Sequence, residues 1–155
     1  MEKDSGQLLD YVKEKNFFKN MTNLSYRELN GGALNRVLAI TNGEENLIVK
    51  HILLKSKDSG ISLPVNRLKN EYFALILAKD YVGNSIPNVL DYNEDNKVLI
   101  LEEKKGDLLV NVLRKGDINR EIGEQLANIL IKLHESSKNN KAIQLLINNE
   151  DMWNL

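Results

Sequence analysis

The sequence predicts an α+β protein: an antiparallel sheet of about five short strands served by one long helix, followed by helices alone. Two observations carry this reading. Short β-branched and aliphatic segments recur as far as Glu102, and from Glu103 onward apolar residues fall at helical spacing instead. The two segments that flank Thr41-Asn42-Gly43-Glu44 are placed as the arms of a hairpin.

Ser5 is positioned to cap a first helix that runs to about Lys15, with Leu8, Leu9, Val12 and Phe17 near helical spacing. Thr22–Leu29 alternates weakly and leads into the turn signal Asn30-Gly31-Gly32. Val37–Ile40 and Asn46–Leu54 read as paired strands. Lys55–Ser62 is polar, contains Gly60 and reads as a loop. Leu63-Pro64 then starts a long helical pattern, with Pro64 tolerated in the first turn and Leu68, Tyr72, Leu75, Ile76 and Lys79 on one side. Val82–Ser85 ends it. Pro87–Tyr92 and Lys97–Glu102 are strands around the turn Asn93-Glu94-Asp95-Asn96. Asp107–Arg114 and Asp117–Glu135 read as helices, Asp117 as a cap, and Leu126, Ile129, Leu130 and Leu133 as the apolar face of the second. Lys141–Ile147 reads as a short final helix. There is no internal repeat or low-complexity linker. The divisions this implies are an N-terminal helix over 1–20, a mixed α+β part over 21–103 and a helical part over 104–155.

A chain of 155 residues fits one domain or one lobe of a larger one. The composition, 42% hydrophobic and 28% charged, is that of an ordinary globular protein. A net charge of −1 gives no electrostatic case for nucleic acid or an anionic membrane. With no cysteine, disulfides, zinc thiolates and thiol nucleophiles are excluded. The segment beginning Met1-Glu2-Lys3 lacks the apolar core of a signal peptide, and no apolar run is long enough for a bilayer. A cytoplasmic location is the expectation.

The chemistry lies in three places taken together. Gly31-Gly32 can bring backbone amides close to phosphate oxygens, and Asn35 can donate its amide to a phosphate or fix the turn. Lys50 ends the strand run Leu47-Ile48-Val49, and Glu71 follows inside the helical pattern Arg67–Asp80. A lysine on a strand can offset the charge of α- and β-phosphates when a helix carboxylate aims it. Leu99-Ile100-Leu101-Glu102-Glu103 stands where strands give way to helices, the place of a hinge whose backbone pairs with adenine. A covering turn, a strand lysine and a helix glutamate in that order form the first half of a kinase active site. Each piece alone fits a blander role: a hairpin turn, a surface lysine, a solvated glutamate, an edge strand. His51 and His134 are isolated, and Asp91, Asp95, Asp107 and Asp117 lie in turns or at caps, so none is assigned chemistry. Trp153 reads as a residue that further chain would bury.

These residues resemble the first part of the methylthioribose kinase family, within the aminoglycoside-phosphotransferase-like branch of the kinase fold. Leu34-Asn35-Arg36-Val37 is similar to the end of the family's modified glycine-rich loop, and Ile48-Val49-Lys50 to its nucleotide-lysine strand. Ser62-Leu63-Pro64, Arg67 and Glu71 resemble the segment leading into the Glu-bearing helix. Ile86-Pro87-Asn88-Val89, Leu101-Glu102-Glu103, Arg114-Lys115-Gly116, Ile122-Gly123 and the tail Asn148–Leu155 follow in the family's order. Gly31 and Ala33 stand where the family commonly has Asp and Asn, and Glu103 where it has Asp.

The resemblance implies a kinase-like N-lobe, with the opening helices of a helical C-lobe over 104–155. It implies transfer of the γ-phosphoryl of ATP, with Mg²⁺, to the 1-hydroxyl of 5-methylthioribose in methionine salvage. It carries nucleotide contacts onto Asn35, Lys50 and the hinge Glu102, Glu103 and Lys104, with Glu71 as partner of Lys50. No His-Gly-Asp-like segment occurs, so no catalytic or metal-binding Asp is assigned, and the expectation is a chain truncated before the catalytic loop and inactive alone. The other reading is a non-catalytic, kinase-derived module that binds nucleotide or a partner. A severed lobe would expose apolar helix surface, to be covered by a second chain or another copy.

Overall fold

Asp4 opens the first helix. The computed structural model describes residues 3–29, 32–117, 119–138 and 140–141. In it α1 spans Ser5–Lys15 and is capped by the residue before Ser5. The Asp4 carboxylate accepts from the Gln7 N–H at 2.8 Å, and the Gln7 side chain accepts from the Asp4 N–H at 3.0 Å, a reciprocal capping box. Serine was the expected cap on residue type, but the aspartate one residue earlier holds the extended backbone that a cap requires.

Five strands follow the α1 helix in one antiparallel sheet: β1 (Ser25–Glu28), β2 (Asn35–Thr41), β3 (Asn46–Ile52), β4 (Val89–Asn93) and β5 (Val98–Glu102), in the order β1-β2-β3-β5-β4. The β2–β3 hairpin closes where expected. Asn42 Oδ1 accepts from the N–H groups of Glu44 and Glu45 at 3.0 and 2.7 Å, and Gly43 takes φ +96°, which a side chain would resist. β5 lies inside the sheet, between β3 and β4. Its run Val98-Leu99-Ile100-Leu101 is buried on both faces, so it reads as a continuous apolar string rather than an alternating one. Lys97 belongs to the preceding turn, at φ +53°, and the proline-bearing start of the β4 segment stays outside the strand.

Helices cover the two faces. On one, Leu8, Tyr11 and Val12 of α1 pack with Phe18 on Leu38, Ile40, Leu47, Val49, Val98 and Ile100. On the other, α2 (Arg67–Val82) places Leu68, Tyr72 and Leu75 over Ile48, Ile52, Leu99 and Leu101. The rings of Tyr72 and Tyr92 stack at 4.6 Å. Pro64 lies before this helix, not in its first turn, and Ile76 is 45% exposed, so the buried stripe is narrower than the sequence pattern. A single 3₁₀ turn, Gly83–Ser85, ends α2.

Among the described residues two more helices follow the sheet, α3 (Leu109–Lys115) and α4 (Arg120–Lys138). Both start later than their acidic residues suggest. Asp107 precedes α3 without capping it, and the amide of Ile122 is taken by Asn119 Oδ1 at 2.9 Å rather than by Asp117. α4 packs against α2, yet Leu126 and Leu130 are each 45% exposed and Ile131 is 52% exposed. The expected helix over Lys141–Ile147 and Trp153 lie outside the described residues, apart from Lys141 itself. Among the described residues no helix is long and apolar enough to cross a membrane.

Candidate functional site

Strand alternation sets the site. Along β3, Leu47, Val49 and His51 turn toward α1, while Ile48, Lys50 and Ile52 turn toward α2. Lys50 therefore stands in an interior strand, between Val37 of β2 and Leu99 of β5. α2 packs by Leu68, Tyr72 and Leu75, and this leaves Glu71 over the sheet, where its Oε1 accepts from Lys50 Nζ in a close ion pair. The two side chains keep 26% and 30% of their surface exposed, so the ammonium is paired but reachable. The fold brings the predicted site residues Lys50 and Glu71, from a strand and a facing helix, into direct contact.

The turn between β1 and β2 lies at the end of the sheet nearest this pair. Gly31 is outside the described residues. Gly32 is exposed, adopts no left-handed φ, and a Cβ there would meet no atom. Among the described residues nothing crowds this position, so the backbone there is open to solvent. Asn35 begins β2 opposite Ile52, and its Oδ1 is buried with no hydrogen-bond partner among the described residues. The amide does not fix the turn. On the same sheet face, Leu29 pairs with Val37 through a 2.8 Å backbone bond, and Ala39 pairs with Ile48. These half-buried apolar side chains form a floor beside Lys50.

At the other end of that floor lies the predicted hinge. The N–H of Glu102 is already spent on Asn88 O at 3.0 Å, so it is not free for a ligand. The Glu102 carboxylate is also committed: Oε1 to Lys104 Nζ at 2.7 Å, Oε2 to the Asn88 N–H and side-chain amide at 3.1 and 2.5 Å. The hydrogen bond from Lys104, and then that from Asn88, hold this carboxyl below the usual range. Among the described residues no backbone partner engages the N–H of Glu103 or Lys104. Glu103 rims a cavity of about 310 Å³ against Arg27, Ala39, Thr41 and Asn46. A larger cavity, about 600 Å³, lies between α2 and α4, lined by Ala74, Leu75, Leu130 and Leu133 with Glu71 at its edge. Its lining is mostly apolar and is bounded by helices rather than by the sheet.

His51 is fully buried on the far face, its Nε2 accepting from the Lys3 N–H at 2.8 Å and its Nδ1 facing Lys97 O at 2.9 Å. It is structural, as is the bond from Tyr11 Oη to Asp91 Oδ2 at 2.9 Å.

This arrangement is open, cationic where Lys50 stands and apolar beside it. Among the described residues no three His, Asp or Glu side chains come together as metal ligands.

No family model matches the chain. Individual proteins do. It is 32% identical to a methylthioribose kinase of Bacillus cereus strain AH187 over an alignment of 132 residues, which takes in 79% of this chain and 33% of that enzyme. The methylthioribose kinases of Bacillus thuringiensis strain Al Hakam and Bacillus anthracis strain CDC 684 are 31% identical over the same span. The chain is homologous to methylthioribose kinases. It spans about one third of the length of the curated relatives it matches.

In this methylthioribose kinase homologue, three features of the site have no plain local signature in the sequence. The apolar floor of Leu29, Val37 and Ile48 was legible only as strand residues, although the interval from Leu29 to Val37 across the glycines marks it. The lock between Asn88 and Glu102 is a side-chain bond across the β4–β5 hairpin, which strand patterning does not specify. The contacts of Arg67, noted in the sequence only as part of the resemblance, appear only once the loops are placed.

Proposed function

We propose that these residues form the nucleotide-holding part of a small-molecule kinase, a kinase-type N-lobe followed by the first helices of a C-lobe. The observation that carries this is the Lys50–Glu71 pair, reachable from solvent, beside an open glycine turn and an apolar sheet floor. Adenine would lie on Leu29, Val37 and Ile48 and pair with backbone groups of the hinge at Glu103 and Lys104. The phosphates would pass by Gly32, near the Asn35 side chain, to Lys50. Glu71 aims the ammonium, so that Lys50 offsets charge on the α- and β-phosphates without reorganising.

The homology implies ATP and a divalent metal. The reaction we propose for the whole active unit is transfer of the ATP γ-phosphoryl to a sugar hydroxyl, with 5-methylthioribose as the acceptor, in methionine salvage. The 155 residues bind nucleotide in this reading and do not complete the transfer, because that step also needs a base for the hydroxyl and ligands for the metal.

Calorimetric titration of the chain with Mg-ATP, beside Lys50→Ala, tests the reading. Saturable binding that Lys50→Ala weakens by about tenfold or more is expected, the loss of a charge-assisted contact. A folded chain that takes up no nucleotide, or binds equally well without Lys50, overturns it. Turnover of ATP and methylthioribose by these residues alone would overturn the division of labour.

A further inference from the structure

Arg67 is the first residue of α2, and its guanidinium reaches out of the helix into three other segments. Nε donates to Pro64 O at 2.9 Å, just ahead of the helix. Nη2 donates to Leu53 O at 2.9 Å, directly after β3. Nη1 and Nη2 both approach Leu34 O, at 3.3 and 3.2 Å, at the end of the glycine turn. The backbone links two of these segments to one another as well: Lys57 N–H donates to Ala33 O at 2.9 Å, and Leu53 N–H to Leu34 O at 3.4 Å. No carboxylate pairs with Arg67 among the described residues, so its charge is met by carbonyl dipoles.

The positions of those carbonyls matter. Leu53 directly follows β3, three residues after Lys50. Leu34 adjoins Asn35 and the glycines. Glu71 sits one helical turn beyond Arg67, on the same face. One planar group therefore touches the turn, the lysine strand and the glutamate helix within a single turn of the pair. A surface arginine that merely solubilised the helix would point to water; this one gives its donors to main-chain oxygens of other segments.

We propose that Arg67 is a positioning residue: it clamps the glycine turn and the end of β3 to the start of α2, and so fixes where Glu71 stands relative to Lys50. The inference rests on the nucleotide-binding reading for its functional consequence, but its structural part stands alone. Arginine is needed because a forked guanidinium can serve three carbonyls at once. A lysine keeps the charge but offers a single point.

Hydrogen exchange of the unliganded chain, read by mass spectrometry, tests the clamp with Arg67→Lys and Arg67→Gln. Val12→Ala, under α1 on the opposite face, serves as a destabilised control. In both Arg67 variants, exchange is expected to rise by about tenfold or more in segments 32–37 and 53–57 as well as in the first turn of α2, while β4 and β5 keep their protection. A rise confined to the helix start, or one spread evenly as in the control, overturns the clamp. If Arg67→Gln does not fold, Arg67→Lys decides by the same criterion.

Mg-ATP titration then reads the consequence. Arg67→Lys is expected to bind about tenfold more weakly than the unsubstituted chain, despite its retained charge. Full affinity in Arg67→Lys would reduce the residue to a positive charge and overturn its positioning role. If the unsubstituted chain itself binds no Mg-ATP, the nucleotide reading fails, and the exchange pattern still decides whether the clamp exists.

Discussion

Lys50 and Glu71 illustrate what a pair of residues does when one lies on a strand and the other on a facing helix. Each side chain is about a quarter to a third exposed, so the ion pair adds little to folding, on the order of 1 kcal/mol or less. Its value lies in direction. Glu71→Gln keeps the size and a hydrogen-bond acceptor but removes the charge that aims Lys50. We expect it to lower Mg-ATP affinity several-fold while urea unfolding moves little, whereas Glu44→Gln, in the exposed β2–β3 turn, leaves affinity unchanged. Equal titrations for the two variants would remove the pairing from the site.

Tyr11 gives a second test at this scale, independent of nucleotide. Burial in the α1 face of the core, and then its bond to the Asp91 carboxylate, push the phenol up from 10.0 to about 12. Below pH 10 both folded and unfolded chains hold the proton, and this contribution to stability is fully present. Between about pH 10 and 12 the unfolded chain has lost a proton that the folded chain keeps, so stability falls as pH rises. Urea unfolding across that range should show a steeper alkaline decline for the unsubstituted chain than for Tyr11→Phe. Parallel curves would mean that the phenol titrates alike in both states.

Among the elements, β5 shows how much a strand's place in the sheet outweighs its own pattern. Val98, Leu99, Ile100 and Leu101 are each at most 4% exposed, because β5 has a strand on either side and a helix layer on each face. Ile100→Ala should therefore cost about 2–5 kcal/mol in urea unfolding. Ile76→Ala, on the outer side of α2, should cost well under half of that, since the side chain is already 45% exposed. Similar costs would mean that α2 packs differently from the arrangement described. The caps follow the same logic on a smaller scale. Asp4 and Asn119 win over Ser5 and Asp117 because a cap is chosen by backbone geometry at one residue, and neighbouring polar residues look alike in sequence.

For the whole molecule, the apolar surface is unevenly distributed. The buried core lies against the sheet, whereas Leu108, just before α3, is 68% exposed and Leu109, Val110, Leu113, Leu126, Leu130 and Ile131 of α3 and α4 are between 41% and 52% exposed. Surface of this kind drives association. We expect the chain to bind an apolar fluorescent dye and to self-associate with rising concentration in sedimentation velocity, and a Leu113→Lys, Leu130→Lys double variant to reduce both. A monomer without dye binding across the accessible range would overturn this.

The sequence by itself determined the α+β class, the five strands, the long helix between the third and fourth, and the pair Lys50 and Glu71. These are set by local periodicity, turn chemistry and residue order, which the chain carries in any context. It also carried the homology, through residues spread along the chain in a recognisable order. Only the tertiary structure decided which side of each element is buried. It alone decided that Ile76 faces out, that β5 runs inside the sheet, that the Glu102 amide is spent on Asn88, and that Arg67 spans three segments. Those facts depend on contacts between residues distant in sequence. No local pattern encodes them, because the free energy of burying a side chain or pairing a carbonyl depends on which other segment arrives there.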